Sequence, residues 1–240
     1  MVSHTRTAFV LGASGSVGDA LMRALIACRA FRLVSVGRRS QPVQLAAAKA
    51  AGVELREILV PTMTPEHLEG AVRDAAAVCE GDIVGLSVLG VGAGTARLSI
   101  DEHRAVDVAL NAAFARGLAA SGHATHFALM SAVGADANAS AGGSGAAGTS
   151  RYNRVKGEAE AAVLASDIPV VSIFRPSMII GSQHTPRVLE TLLPLLSFIT
   201  PAKYRSIRAD QIATAMVTTS RTPPATSAIY HYSEMVALHG

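Results

Sequence analysis

Short apolar runs and helical patterns take turns along this chain from its first residues. Residues 7–11 are a β-branched and aromatic run closed by glycines, and a helical pattern follows over 18–30. Residues 31–36 and 53–60 read as buried strands on either side of an alanine-rich helix over 44–51. A fourth strand over 82–89 runs into the loop Gly90-Val-Gly-Ala-Gly94. Then come a long helix over about 101–120, a strand over 127–131, a helix over 152–164 and a strand over 169–174. Strands alternating with helices at this spacing imply right-handed crossovers and a parallel sheet. The strands are apolar almost throughout, so helices must cover both faces of that sheet. The expected fold is therefore α/β, a doubly wound parallel sheet, which binds ligands beyond the carboxyl ends of its strands.

Two segments depart from the alternation. Residues 134–150 are mostly Gly, Ser and Ala and lack side chains to pack, so they predict a mobile loop before the helix over 152–164. That loop is either a lid or an inert insertion. Residues 181–240 are expected to form a small substrate-capping region beside a nucleotide-binding core of 1–180, with helices over 189–198 and 207–216.

Composition narrows the class. Half of the 240 residues are hydrophobic and 16% are charged, which fits one globular domain with a sizeable core. The net charge is +3 with no run of like charges, so nucleic acid is not an expected partner. A strand begins almost at once, leaving no room for a signal peptide. The apolar stretch 189–199 is too short to span a bilayer and contains Pro194. A cytoplasmic protein without a membrane partner, monomeric or homodimeric, is the expectation. Cys28 and Cys79 are read as buried reduced thiols, and nothing suggests a metal site. His123 and His126 have no ligand spacing, and His184, near the expected site, reads as a solvated loop histidine.

The run Gly12, Ala13, Ser14, Gly15, Ser16, Val17, Gly18 follows the first strand and opens a helix. Such a turn lets backbone approach a pyrophosphate, while the helix N-terminus supplies N–H groups and the positive end of its dipole. At the end of the second strand an NAD site carries an acidic residue. This chain has Arg38 and Arg39 there, followed by Ser40. Two guanidinium groups can grip a 2′-phosphate by charge-assisted bonds, with Ser40 adding another, so NADP(H) is the expected cofactor.

Tyr152 and Lys156 form a Tyr-x-x-x-Lys pair in a chain with only four tyrosines and three lysines. That spacing puts both on one helix face. An ammonium fixed beside a phenol, which ordinarily titrates near ~10, favours its ionised form and makes it a general acid/base. Ser131 ends the fifth strand and faces the same crevice.

Together Ser131, Tyr152 and Lys156 resemble the Ser/Tyr/Lys set of the short-chain dehydrogenase/reductase superfamily, which has a Rossmann fold. The strings Leu-Gly-Ala-Ser-Gly, Val-Gly-Arg-Arg, His-Phe-x-Leu-Met-Ser and Val-Lys-Gly-Glu-Ala-Glu look most like its atypical branch related to the human Tat-interacting protein. Arg175-Pro-Ser-Met178 matches the segment that lies beside the nicotinamide in this superfamily. The resemblance implies hydride transfer between cofactor and a carbonyl or alcohol. The apolar helices expected over 189–198 and 207–216 suggest a hydrophobic substrate, and their leucines equally suit plain core or an oligomer contact. Tyr152 would move the proton, Lys156 would bond the ribose, and Ser131 would orient the carbonyl. Leu89, Gly90, Pro176 and Met178 join the expected cofactor contacts. The aspartate that relatives carry after the third strand, contacting adenine, is missing from Leu59-Val-Pro-Thr62. Where relatives have a catalytic asparagine, this chain has Val106-Asp107, with Asn111 one turn on, and neither is assigned a role. Two alternatives stand beside this reading: an NADPH-sensing regulator without turnover, and an epimerase or dehydratase.

Overall fold

The computed structural model describes residues 6–180, 201 and 204–239. Three strand–helix units come first: β1 (Arg6–Leu11) and α1 (Ser16–Cys28), β2 (Arg32–Gly37) and α2 (Pro42–Ala51), β3 (Leu55–Leu59) and α3 (Pro65–Ala77). β4 (Asp82–Ser87) is followed by a 3-10 turn (Gly92–Arg97), α4 (Ile100–Arg104), a π-helical turn (Ala105–Leu110) and α5 (Asn111–Ala119). β5 (Ala124–Met130), α6 (Ser150–Leu164) and β6 (Val170–Phe174) complete the predicted series. Beyond it lie β7 (Ile179–Ile180), β8 (Ile207–Arg208), α7 (Ala209–Arg221), β9 (Ala228–Tyr230) and α8 (Tyr232–Ala237).

Seven strands form one parallel sheet in the order β3-β2-β1-β4-β5-β6-β9. The order reverses between β1 and β4, where Leu11 pairs with Ser87, and this is where a doubly wound sheet opens its ligand crevice. Helices cover both faces. On one, Leu21 and Leu25 of α1 and Ile212 and Met216 of α7 bury completely. On the other, Leu68 and Val72 of α3 pack with Phe114 of α5, whose ring meets Phe127 of β5 edge-on at 5.7 Å. Each such side chain contributes about 1.5–3 kcal/mol by leaving water.

Several elements differ from the sequence expectation. α3 was absent from the predicted series, because its buried stripe is only Leu68, Val72, Ala75 and Ala76. Its start is nonetheless well specified: Thr64 caps the first turn by accepting the His67 N–H at 3.3 Å, and Pro65 follows. The long helix over 101–120 is interrupted by the π turn. The helix predicted over 207–216 begins at Ala209, after β8, and runs to Arg221 in contact with α1, while β9 extends the sheet beside β6. The helix predicted over 189–198 and His184 lie outside the described residues. Cys28 and Cys79 are free thiols, half-buried rather than buried.

The low-complexity segment is tied to α6 through its first residues. The Asp136 N–H donates to the Asn153 carbonyl at 3.0 Å, and Arg154 Nη1 donates to the Ala139 carbonyl at 3.0 Å. Gly157 lets the segment touch α6, since a Cβ there would stand 2.1 Å from the Ala137 nitrogen. Packing against a helix thus orders a sequence that has few side chains of its own to bury. No helix among the described residues is long and apolar enough to cross a membrane.

Candidate active site

The turn after β1 is built by its first and third glycines. Gly12 has φ +90°, and a Cβ there would stand 2.7 Å from the Leu89 nitrogen at the end of β4. At Gly18 a Cβ would stand 2.1 Å from the Gly12 carbonyl oxygen. Gly15 is different: its nearest neighbour would be 3.7 Å away, and it is exposed with Ser14 at the N-terminus of α1. Ser16 is half-buried there and Val17 is buried. Gln44 of α2 donates to the Ala13 carbonyl at 2.9 Å and steadies the turn.

Two cavities flank it. One, of about 230 Å³, is lined by Gly12, Ser14, Arg38, Arg39, Met63 and Leu89. The other, of about 540 Å³, is lined by Ser14, Gly15, Ser16, Arg23, Gln41 and Arg208. Arg38 and Arg39 are therefore brought to the glycine turn. Ser40 is not available beside them: its hydroxyl donates to Glu57 at 2.6 Å, and the Gln41 N–H donates to the other oxygen of that carboxylate at 2.6 Å. Glu57 thereby fixes the turn that carries the two arginines.

Further along the crevice, α6 presents Tyr152, Lys156 and Glu160 on one face. Lys156 Nζ stands 5.8 Å from the centre of the Tyr152 ring. It pairs with Asp107 Oδ1 at 2.6 Å, and both side chains are buried. The other Asp107 oxygen accepts the Val91 N–H at 3.0 Å. His103, fully buried one turn before Asp107, places Nε2 3.5 Å from Oδ1 and stacks on Tyr152 at 5.7 Å. Asn111 donates to the Asp107 carbonyl at 2.8 Å inside the π turn and accepts the Ser87 hydroxyl. Gly90 lies over the ion pair, for a Cβ there would be 3.1 Å from Asp107 Oδ1 and 3.2 Å from Lys156 Nζ.

The electrostatics follow from these contacts. Burial pushes the Asp107 carboxyl up, but the Lys156 ammonium and then His103 outweigh it and bring the pKa down to about 2. Burial likewise works against the Lys156 charge, and Asp107 more than compensates, holding the ammonium above the ordinary lysine range. The pair is fully ionised at neutral pH.

No model of a known protein family matches the chain. It is 29% identical over 183 residues to the mitochondrial protein FMP52-1 of Scheffersomyces stipitis, covering 76% of this chain and 71% of that protein. Among solved structures, a short-chain dehydrogenase/reductase from Serratia marcescens superimposes with a TM-score of 0.66 at 18% identity, covering 95% of this chain and 98% of that one. An actinorhodin polyketide ketoreductase variant holding NADPH gives 0.67 at 15%, covering 98% and 99%. MoeE5 with UDP-glucose and NAD gives 0.63 at 16%, covering 97% and 80%. The chain has the Rossmann fold of the short-chain dehydrogenase/reductases.

In this fold Ser131 sits just past β5, its N–H bonded to the Phe174 carbonyl at 2.7 Å. Its hydroxyl donates to Glu160, which also accepts Arg175 through Nε at 2.9 Å and Nη2 at 2.5 Å. The Pro176 carbonyl accepts the Val133 N–H at 2.9 Å and the Met178 carbonyl accepts the Ile207 N–H at 3.0 Å, so the segment 175–178 bridges β8 and the loop after β5. Pro176 is buried and Met178 is exposed. His103, Glu57, Gln44 and Met63 escaped the sequence reading. His103 is a polar residue in a helical pattern, which reads as a solvated face until the π turn and α6 are seen to close over it, and Asp107, left without a role in the sequence, is buried beside it.

Proposed function

We propose that the chain is an NADP(H)-dependent oxidoreductase acting on a hydrophobic carbonyl or alcohol, with Tyr152 as general acid/base. The observation that carries this reading is the placement of Tyr152 and Lys156 on one face of α6, with Lys156 against Gly90 at the end of β4. The glycine turn leaves the backbone uncovered where a pyrophosphate would lie. Arg38 and Arg39, held by the Glu57 turn, supply the charge for a 2′-phosphate.

Nicotinamide, when bound, supplies or accepts the hydride. The chain's own part is proton transfer and orientation. In reduction Tyr152 gives its hydroxyl proton to the substrate oxygen, and in oxidation it takes that proton back. Lys156 has three N–H donors; one faces Asp107, leaving two for the ribose. Ser131, its hydrogen already given to Glu160, contributes lone pairs that can orient an alcohol or the Tyr152 hydroxyl. Residues 175–178 form the wall on the nicotinamide side.

Within this reading, the strings that resemble the Tat-interacting-protein branch support membership of that branch. The reading includes a cytoplasmic location, whereas the name of the Scheffersomyces stipitis relative states a mitochondrial one; fractionation of the native protein decides between them. The direct functional test is titration with NADPH and NADH, followed by turnover over a panel of aldehydes and ketones. Tighter binding of NADPH with turnover supports the reading, and binding without any turnover across the panel opposes it.

A further inference from the structure

We propose that Asp107 is a positioning residue for Lys156, locking its ammonium and the Leu89–Val91 loop into one unit that receives the cofactor ribose. This deepens the oxidoreductase reading and rests on it. Four contacts converge on Asp107. One carboxylate oxygen is 2.6 Å from Lys156 Nζ and 3.5 Å from His103 Nε2, and the other accepts the Val91 N–H at 3.0 Å. Its own carbonyl is held by the Asn111 amide at 2.8 Å within the π turn. An ammonium on four rotatable carbons has no fixed direction of its own. Anchored on one donor, it keeps the other two aimed at a common target. Because the second oxygen holds Val91, the lysine and the backbone after β4 cannot move independently. Gly90, between them, leaves room that any Cβ would take.

The charged groups around this centre are few. Lys156 and Glu160 face it from α6, His103 from its own helix, and Tyr152 closes it through the His103 stack. His103 stands between Asp107 and the Tyr152 ring, 3.5 Å from the carboxylate through Nε2 and stacked on the phenol at 5.7 Å. A carboxylate paired with the lysine also keeps the ammonium protonated as the pH rises.

The experiment measures NADPH affinity by fluorescence titration between neutral and alkaline pH, for wild type, Asp107→Asn, Asp107→Glu and Lys156→Met. The proposal expects Asp107→Asn to weaken NADPH binding by ~10-fold and to move its alkaline loss down by about one pH unit, with Asp107→Glu restoring part of both. Unchanged affinity and an unchanged alkaline limb in Asp107→Asn, beside clear loss in Lys156→Met, would overturn the proposal and leave the oxidoreductase reading standing. Failure of the wild type to bind either cofactor would sink that reading itself. Should Asp107→Asn not fold, the wild type still answers. With only Lys49, Lys156 and Lys203 in the chain, side-chain nitrogen NMR resolves each lysine. The proposal expects the Lys156 signal, identified by its loss in Lys156→Arg, to titrate above the ordinary lysine range because of its contact with Asp107; titration within or below that range would overturn it.

Discussion

The Ser131 hydroxyl donates its hydrogen to the Glu160 carboxylate, two turns along α6 from Tyr152. That contact joins the end of β5 to the helix that carries the proposed acid/base, and it leaves Ser131 no hydrogen for a substrate carbonyl. Replacing Ser131 by Ala should therefore cost less than ~10-fold in kcat, well short of the ~100-fold or more expected on removing a general acid. Steady-state kinetics on Ser131→Ala and Tyr152→Phe makes the comparison.

Glu160 is buried and bonded to Arg175 through both oxygens. Glu160→Ala would leave the guanidinium without its partner, and breaking one side of such a pair costs about 3–5 kcal/mol when fully buried. Arg175 is one-fifth exposed, so the expected loss is nearer ~3 kcal/mol, read from urea denaturation.

Gly18 and Gly15 of the turn should respond differently. Gly18→Ala forces a methyl onto the Gly12 carbonyl and should destabilise the fold by about 1–3 kcal/mol while weakening cofactor binding. Gly15→Ala meets nothing closer than 3.7 Å and should leave the melting temperature unchanged, its effect confined to cofactor affinity. Thermal melts with and without NADPH separate the two.

Much of this was legible in the chain. β1, the glycine turn and α1 announce themselves because strand, turn and helix each have strong local rules. The Tyr152–Lys156 spacing is visible because it is a property of one helix. Asp107 and His103 were not assignable, since their role depends on α6 crossing them, a contact with no local trace. Ser131 was found at its strand end, but the direction of its hydroxyl depends on Glu160, 29 residues away. The packing of residues 136–137 on α6 likewise depends on the close approach at Gly157.

His126 gives the stability a definite pH dependence. It is fully enclosed, and burial lowers its pKa from 6.5 to about 4. Below pH 6.5 the unfolded chain takes up a proton that the folded chain does not, so stability falls as pH drops from 6.5 towards 4. The loss reaches about 3 kcal/mol. Asp107 adds a separate loss lower down, between pH 3.8 and about 2, where its lowered carboxyl becomes protonated. Urea denaturation at pH 7, 5.5 and 4 should show the first drop in the wild type and a flatter profile in His126→Gln.

Arg38 and Arg39 should set cofactor preference. Replacing both by Ala should weaken NADPH by ~100-fold, the value of charge-assisted bonds to one phosphate, and leave NADH within ~3-fold. Equal losses for both cofactors would assign the arginines to something other than a 2′-phosphate.

The central claim is proton transfer by Tyr152. NADPH binding and carbonyl turnover measured side by side for wild type and Tyr152→Phe test it most directly. The account predicts NADPH affinity within ~3-fold of wild type and kcat reduced ~100-fold or more. Turnover by Tyr152→Phe equal to that of the wild type would contradict it.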